Sequence, residues 1–371
     1  MLRKFRVSNF KSFDKDFELD LTKTNGYGFN KESIKNGTVN QAIIYGENGV
    51  GKSNLAFAIF DIIEHLTDNE RNENLYRNYL NANSDNKLAH FYFEFFINSK
   101  IVVYEYKKSD YKTIFFERFL IEGEELISFN REFDTKATVL LKGTETLNTE
   151  IANYELSVLK YIKNNSNLVS NEENKTFLSF FTFIETMLHF RSLTNNMYQG
   201  TDVEGSVNII ENIIEKGNVN EFEEFLNEAG IECKLGITSE RGRNTISMNF
   251  GDKQLPFSQL ASTGTLALTL FYFWFQTIKE QQKVSFLFID EFDAFYHHAL
   301  STLIVEKLKE TGVQFILTTH NTSIMTNDLL RPDCYFTMTK QQIRSFSNST
   351  TKELREAHNI EKMYKAGTFN G

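Results

Sequence analysis

Along the chain, apolar and polar positions change their period several times, and each change predicts an element. The opening LRKFRVSNFKSFDKDFELDL alternates apolar with polar residues, the period of half-buried antiparallel strands. A glycine- and asparagine-rich loop, TNGYGFNKESIKNGTVN, leads to the short apolar strand AIIY, and a helix is predicted through Leu55–His65. Past a polar break at Asn69–Asn86, the segments HFYFEFFI, IVVYEYKK and KTIFFERFLI alternate again and predict a β-meander. From Leu126 to Arg243 the texture is helical, in YELSVLKYIKN, TFLSFFTFIETMLHF and SVNIIENIIEKGNVNEFEEFLNEAG, with no sustained heptads. This predicts a helical insertion at 126–243 between an N-terminal lobe, 1–125, and a C-terminal lobe, 244–371. Strands resume at NTISMNFG, and the helix TLALTLFYFWFQTIKE is apolar nearly all round, hence buried on several sides. Two continuous apolar runs, VSFLFID and VQFILTTH, flank a helix through HHALSTLIVEKLKETG. Strand–helix–strand with unbroken apolar strands predicts parallel strands covered on both faces, an α/β fold.

Composition narrows the picture. The 371 residues are enough for about two domains. A content of 41% hydrophobic and 24% charged residues is globular, and 36 phenylalanines supply an aromatic core. The net charge of −9 argues against a uniformly basic nucleic-acid binder and leaves only a local patch open. Cys233 and Cys334 have neither metal-ligand spacing nor a disulfide framework. The N-terminus has no apolar core of a secretory signal, and no apolar stretch reaches the roughly 18 residues of a membrane span. A soluble, cytoplasmic protein with no membrane partner is expected.

Candidate chemistry begins at GENGVGKS, which fits G-x-x-x-x-G-K-[ST] at Gly46, Gly51, Lys52 and Ser53, between a predicted strand and helix. Glycines allow a turn tight enough to aim successive backbone N–H groups at phosphate oxygens, and the helix N-terminus adds its positive dipole end. Gly46, Glu47, Asn48, Gly49, Val50, Gly51 and Asn54 are expected around the phosphates. Lys52 would neutralise β- and γ-phosphate charge, and Ser53 would ligate Mg²⁺. The second feature is FLFIDEFD, a buried strand ending in acids, which is costly unless they face a cation or a polar site. Asp290 fits a Mg²⁺-holding acid and Glu291 a base that orients the attacking water; the same pair also suits a helix cap. A third is LASTGT, where Ser262 could approach an anion or simply cap its helix. His320, closing VQFILTTH, could reach a γ-phosphate or be a surface imidazole. Asp290, Glu291, Asp293, His297 and His298 could also be read as a metal cluster, but the acids directly follow a buried strand in the phosphate-loop arrangement.

Taken in order, these parts resemble an ABC-type ATPase of the SMC/RecF/OLD group over most of the chain outside the predicted insertion. GENGVGKS resembles Walker A, LASTGT stands in the place of the signature motif, FLFIDE in that of Walker B and TTH in that of the switch histidine. VSNFKSF looks like the family's N-terminal motif, which implies that Asn9, Lys11 and Ser12 lie near the nucleotide. EFDAFYHHAL resembles the segment after Walker B, with His297 at the usual histidine position. HNIEKMYKAGTF resembles the closing helix of stand-alone AAA-family ATPases from abortive-infection and related antiphage systems. The signature departs from LSGGQ, with Ala261 where relatives often carry an acid, and His298 stands where the family often has proline. No Q-loop glutamine can be placed. The chain stops about 50 residues after His320, where OLD-type nucleases continue into a metal-binding Toprim domain.

The resemblance implies an ABC/SMC-like P-loop head, a mixed sheet with flanking helices and an antiparallel subdomain. It also implies two protomers sandwiching ATP between Walker A of one chain and Ser262 and Gly264 of the other. The expected activity is ATP hydrolysis, slow and partner-regulated, with ATP and Mg²⁺ as cofactors. The expected partners are a second copy and a separate effector, a toxin or nuclease. A RecF-like DNA-end-binding ATPase and an ATP-clamped scaffold with negligible turnover are the rival readings.

Overall fold

The computed structural model describes residues 1–68, 73–191, 198–200, 209–240, 242–280 and 283–369. The alternating N-terminal segments form β1 (Leu2–Ser8) and β2 (Phe17–Asp20), paired antiparallel. A small hairpin, β3 (Ile34–Lys35) and β4 (Thr38–Val39), precedes β5 (Gln41–Tyr45), α1 (Lys52–Phe60) and α2 (Ile63–Leu66). The meander follows as β6 (Ala89–Ile97), β7 (Lys100–Lys108), β8 (Ile114–Ile121) and β9 (Glu124–Asn130), with β10 (Thr138–Val139) at the edge. These strands make one antiparallel sheet in the order β10-β9-β8-β7-β6-β1-β2. Every second residue of β6 is buried, as a sheet with one covered face requires.

Next come α3 (Val158–Asn165), α4 (Glu172–Glu185), β11 (Met187–Arg191), β12 (Tyr198–Gly200), α5 (Ile209–Glu215) and α6 (Val219–Glu228). A small sheet of β13 (Leu235–Glu240), β14 (Arg243–Phe250) and β15 (Lys253–Pro256) leads through α7 (Phe257–Leu260) into α8 (Thr263–Lys279). The chain ends with β16 (Phe286–Asp290), α9 (His298–Thr311), β17 (Gln314–Thr319), β18 (Tyr335–Met338), β19 (Ile343–Ser345) and α10 (Ile360–Lys365). The second large sheet has the order β12-β11-β16-β17-β5-β18-β19, parallel from β11 through β18 with antiparallel edges. This is the expected α/β head, a mixed sheet with flanking helices beside an antiparallel sheet. All residues of β5, β16 and β17 are buried.

Residues 126–243 depart from the predicted helical insertion. They carry most of β9, all of β10, and β11, which pairs with β16 inside the parallel sheet. The helical period of TFLSFFTFIETMLHF ends at Glu185, and MLHF is a strand buried on both faces. A short apolar run buried this way cannot be told from a buried helix by period alone.

Gln314 joins the two large sheets. Its side-chain amide donates to Leu2 O at 2.8 Å and Val39 O at 3.0 Å, and its oxygen accepts from Leu2 N at 2.7 Å. Aromatic rings fill the space around the meander: Phe180 of α4 packs edge-on to Phe95 and Tyr104, and Phe91 stacks on Tyr106. Among the described residues, no helix is long and apolar enough to cross a membrane.

Candidate functional site

Ligands of open parallel sheets gather beyond the carboxyl ends of the strands, and this chain puts its polar motifs there. Register aligns Arg191 of β11 with Asp290 of β16, and Thr319 of β17 with Tyr45 of β5. The GENGVGKS loop leaves β5, Glu291 follows β16, and His320 follows β17, so segments far apart in sequence share one rim.

The loop needs its glycines for two different reasons. A Cβ on Gly46 would lie 2.6 Å from Met338 O, a backbone clash. Gly51 has φ of 108°, and a Cβ there would meet Ser12 Oγ at 2.6 Å. Gly51 is also the N-cap of α1 and supplies no side-chain cap, so the first-turn amides of this nine-residue helix keep their donors for a ligand.

Lys52 Nζ donates to Gly46 O at 2.8 Å and Glu47 O at 3.2 Å, and lies 3.0 Å from His320 Nε2. An ammonium can only donate, so Nε2 accepts and His320 is neutral in this contact. Burial, then the Lys52 charge, holds His320 below the ordinary histidine value. Burial also lowers Lys52, offset in part by Asp290 and Glu291. Ser53 Oγ donates to Asp290 Oδ2 at 2.6 Å, and Thr318 Oγ1 donates to Asp290 Oδ1 at 2.6 Å. Asp290 is only 1% exposed. Thr318 Oγ1 also accepts from Glu291 N at 2.8 Å, fixing a residue whose φ of 50° is left-handed and strained for a glutamate.

Lys52, Ser53, Asp290, Glu291 and His320 are thus brought together. Lys11 is not hydrogen-bonded into this group. Its φ is 47°, and its Nζ donates to Leu75 O at 2.8 Å and Arg77 O at 3.2 Å. Ser12 borders the loop instead, against Gly51 and accepting from Asn54 Nδ2 at 2.9 Å. Asn9 bonds the backbone at Asn86 and Leu88. Ser262 is the N-cap of α8 and accepts from Thr265 N at 3.2 Å, while Gly264 sits against Phe295 O. Asp293 accepts from Thr319 Oγ1 at 2.6 Å, and burial raises its carboxyl above the usual range. His297 is the N-cap residue of α9, its carbonyl accepting from Leu300 N and Ser301 N. The side chain of His298 lies outside what the structure describes.

Sequence reasoning missed two participants. Thr318 sits in the TTH run but drew no role. Arg191 Nη2 donates to Glu291 Oε2 at 3.0 Å, and its Nε lies 3.3 Å from Asp290 Oδ2. Reading MLHFR as a buried strand would have placed this arginine at the rim.

The site suits a nucleotide with a divalent ion. Its loop is a cradle that side chains would fill at Gly46 and Gly51. The hydroxyl of Ser53 and the carboxylate of Asp290 are the hard oxygen donors that Mg²⁺ takes alongside phosphate.

A family model described as "AAA domain, putative AbiEii toxin, Type IV TA system" matches residues 42–326. No curated protein matches the chain. Among solved structures, an SMC head bound to the C-terminal winged-helix domain of ScpA aligns with TM-score 0.46 and 17% identity, over 92% of this chain and 96% of that one. The SMC head domain from Thermotoga maritima aligns with TM-score 0.44 and 16% identity, over 93% and 98%. An SMC head with an extended coiled coil, bound to the C-terminal domain of ScpA derived from Pyrococcus furiosus, aligns with TM-score 0.44 and 14% identity, over 94% and 97%.

Proposed function

Because the chain belongs to this AAA-domain family and so to the P-loop ATPases, we propose that it is an ATP-driven switch that oligomerises through its nucleotide sites. In this reading it senses a trigger for, or restrains, a separate effector chain in bacterial antiphage defence. The observation that carries it is the convergence of Lys52, Ser53, Asp290, Glu291 and His320 from three parallel strands onto one glycine loop.

Each residue has a part that follows from its chemistry. Backbone amides of the loop and the start of α1 would hold the phosphates, and Lys52, at the same loop, would neutralise their charge. Ser53 and Asp290 would hold Mg²⁺. Bound Mg²⁺ and ATP supply the cleavable anhydride and the charge neutralisation it needs. Glu291, fixed at the strand end by Thr318, takes a proton from the attacking water. His320, neutral beside Lys52, would donate its N–H to the terminal phosphate. Ser12 and Asn54 border the far side of the loop.

The signature region serves the second copy. Ser262 and Gly264 open α8, and Leu260 and Leu266 beside them are 42% and 48% exposed, an apolar rim suited to another protomer. The family description, with its toxin and "TA system", supports a partner chain. Slow, partner-regulated turnover belongs to the same reading.

Binding of a fluorescent ATP analogue, phosphate release and solution mass with ATP test the reading together. Lys52→Ala abolishes binding, and Glu291→Gln keeps ATP, stops turnover by roughly 10²-fold or more and accumulates the oligomer. Normal hydrolysis by Glu291→Gln, or a mass that ignores ATP, contradicts it.

A further inference from the structure

Arg191 stands out because its contacts are with the two acids that the proposed reaction needs. Its guanidinium is 29% exposed at the end of β11. Nη2 donates to Glu291 Oε2, while Nε faces Asp290 Oδ2 at 3.3 Å without hydrogen-bond alignment, a buried N–H with no acceptor among the described residues. That Asp290 oxygen is the one that accepts from Ser53. The oxygen offered to a divalent ion by Ser53 and Asp290 is therefore already faced by a fixed positive charge, and like charges repel. Glu291, the other partner, is held on a left-handed backbone. Among the described residues, the polar partners of Arg191 are the carboxylate that Ser53 shares and the glutamate on the strained backbone.

We propose that Arg191 is a positioning residue that makes cation binding at Ser53 and Asp290 conditional on nucleotide. In the nucleotide-free chain its guanidinium balances Asp290 and Glu291, keeps a divalent ion off the pair and immobilises the Glu291 carboxylate. A triphosphate brings the negative charge that lets the ion enter and the guanidinium turn away. The inference rests on the ATP-binding reading of the same site.

Mn²⁺ titration of the full chain, followed by electron paramagnetic resonance, tests this without turnover. Wild type should bind Mn²⁺ weakly alone and at least about tenfold more tightly with a non-hydrolysable ATP analogue, a usual size for coupling between two ligands. Arg191→Met should bind Mn²⁺ tightly without nucleotide, Arg191→Lys should restore most of the dependence, and Asp290→Asn added to Arg191→Met should remove the gain. Arg191→Met binding Mn²⁺ no better than wild type overturns the inference, as does a gain that survives Asp290→Asn. If Arg191→Met fails to fold, wild type alone decides: equal Mn²⁺ affinity with and without the analogue also overturns it. Failure of wild type to bind the analogue at all removes the ATP reading instead.

Discussion

Asp61 and Asp290 are both buried carboxylates beside a cation, and their surroundings differ. Asp61 follows α1 and accepts from Tyr79 OH at 2.9 Å, Tyr106 OH at 3.0 Å and Lys108 Nζ at 3.0 Å, with both charged side chains fully buried. The donors come from the meander and from the segment before it, so the cluster fastens the phosphate-loop helix to the antiparallel sheet. Glu117 is satisfied in the same way, by Tyr104 OH, Ser157 Oγ and Val158 N. Around Asp290 the bonds are short but the cation is misaligned, and the next residue carries backbone strain. A buried carboxylate whose oxygens are met by hydrogen bonds from within the fold rigidifies it. At Asp290, by contrast, the Arg191 Nε beside the carboxylate has no hydrogen-bond acceptor among the described residues.

The contrast can be broken by substitution. Lys108→Ala should cost the most, about 3–5 kcal/mol, because it leaves the Asp61 charge buried without its cation; urea unfolding within 1 kcal/mol of wild type would deny the cluster its structural role. Tyr79→Phe should cost about 1.5–3 kcal/mol, one hydrogen bond to a charged group, read in the same unfolding curves. Glu291→Gln belongs to the other cluster. Glu291 is 22% exposed, and breaking its pair with Arg191 should change stability by less than about 1 kcal/mol. A loss as large as that of Lys108→Ala would make the two clusters alike.

The smallest effect is a slope with pH. His320 has a folded pKa held below its ordinary 6.5, so the unfolded chain takes the proton more readily. Its contribution is complete above pH 6.5 and is lost as the pH falls through that value toward the lower folded one. His320→Gln should flatten this part of the thermal-stability profile. An identical acid slope in both proteins would mean that burial and the Lys52 charge do not hold His320 below its ordinary value.

The sequence by itself determined much of this protein. GENGVGKS between strand and helix, the unbroken runs ending at Asp290 and His320, and the alternating meander are local patterns, because glycine freedom, strand period and helix period act over a few residues. The tertiary structure alone decided the fate of Met187–Arg191, the seating of Ser12 against Gly51, and the sharing of Asp290 by Ser53, Thr318 and Arg191. Those depend on which strands become neighbours and in what register. Arg191 and Asp290 lie far apart in the chain, and only parallel pairing of β11 with β16 sets them side by side.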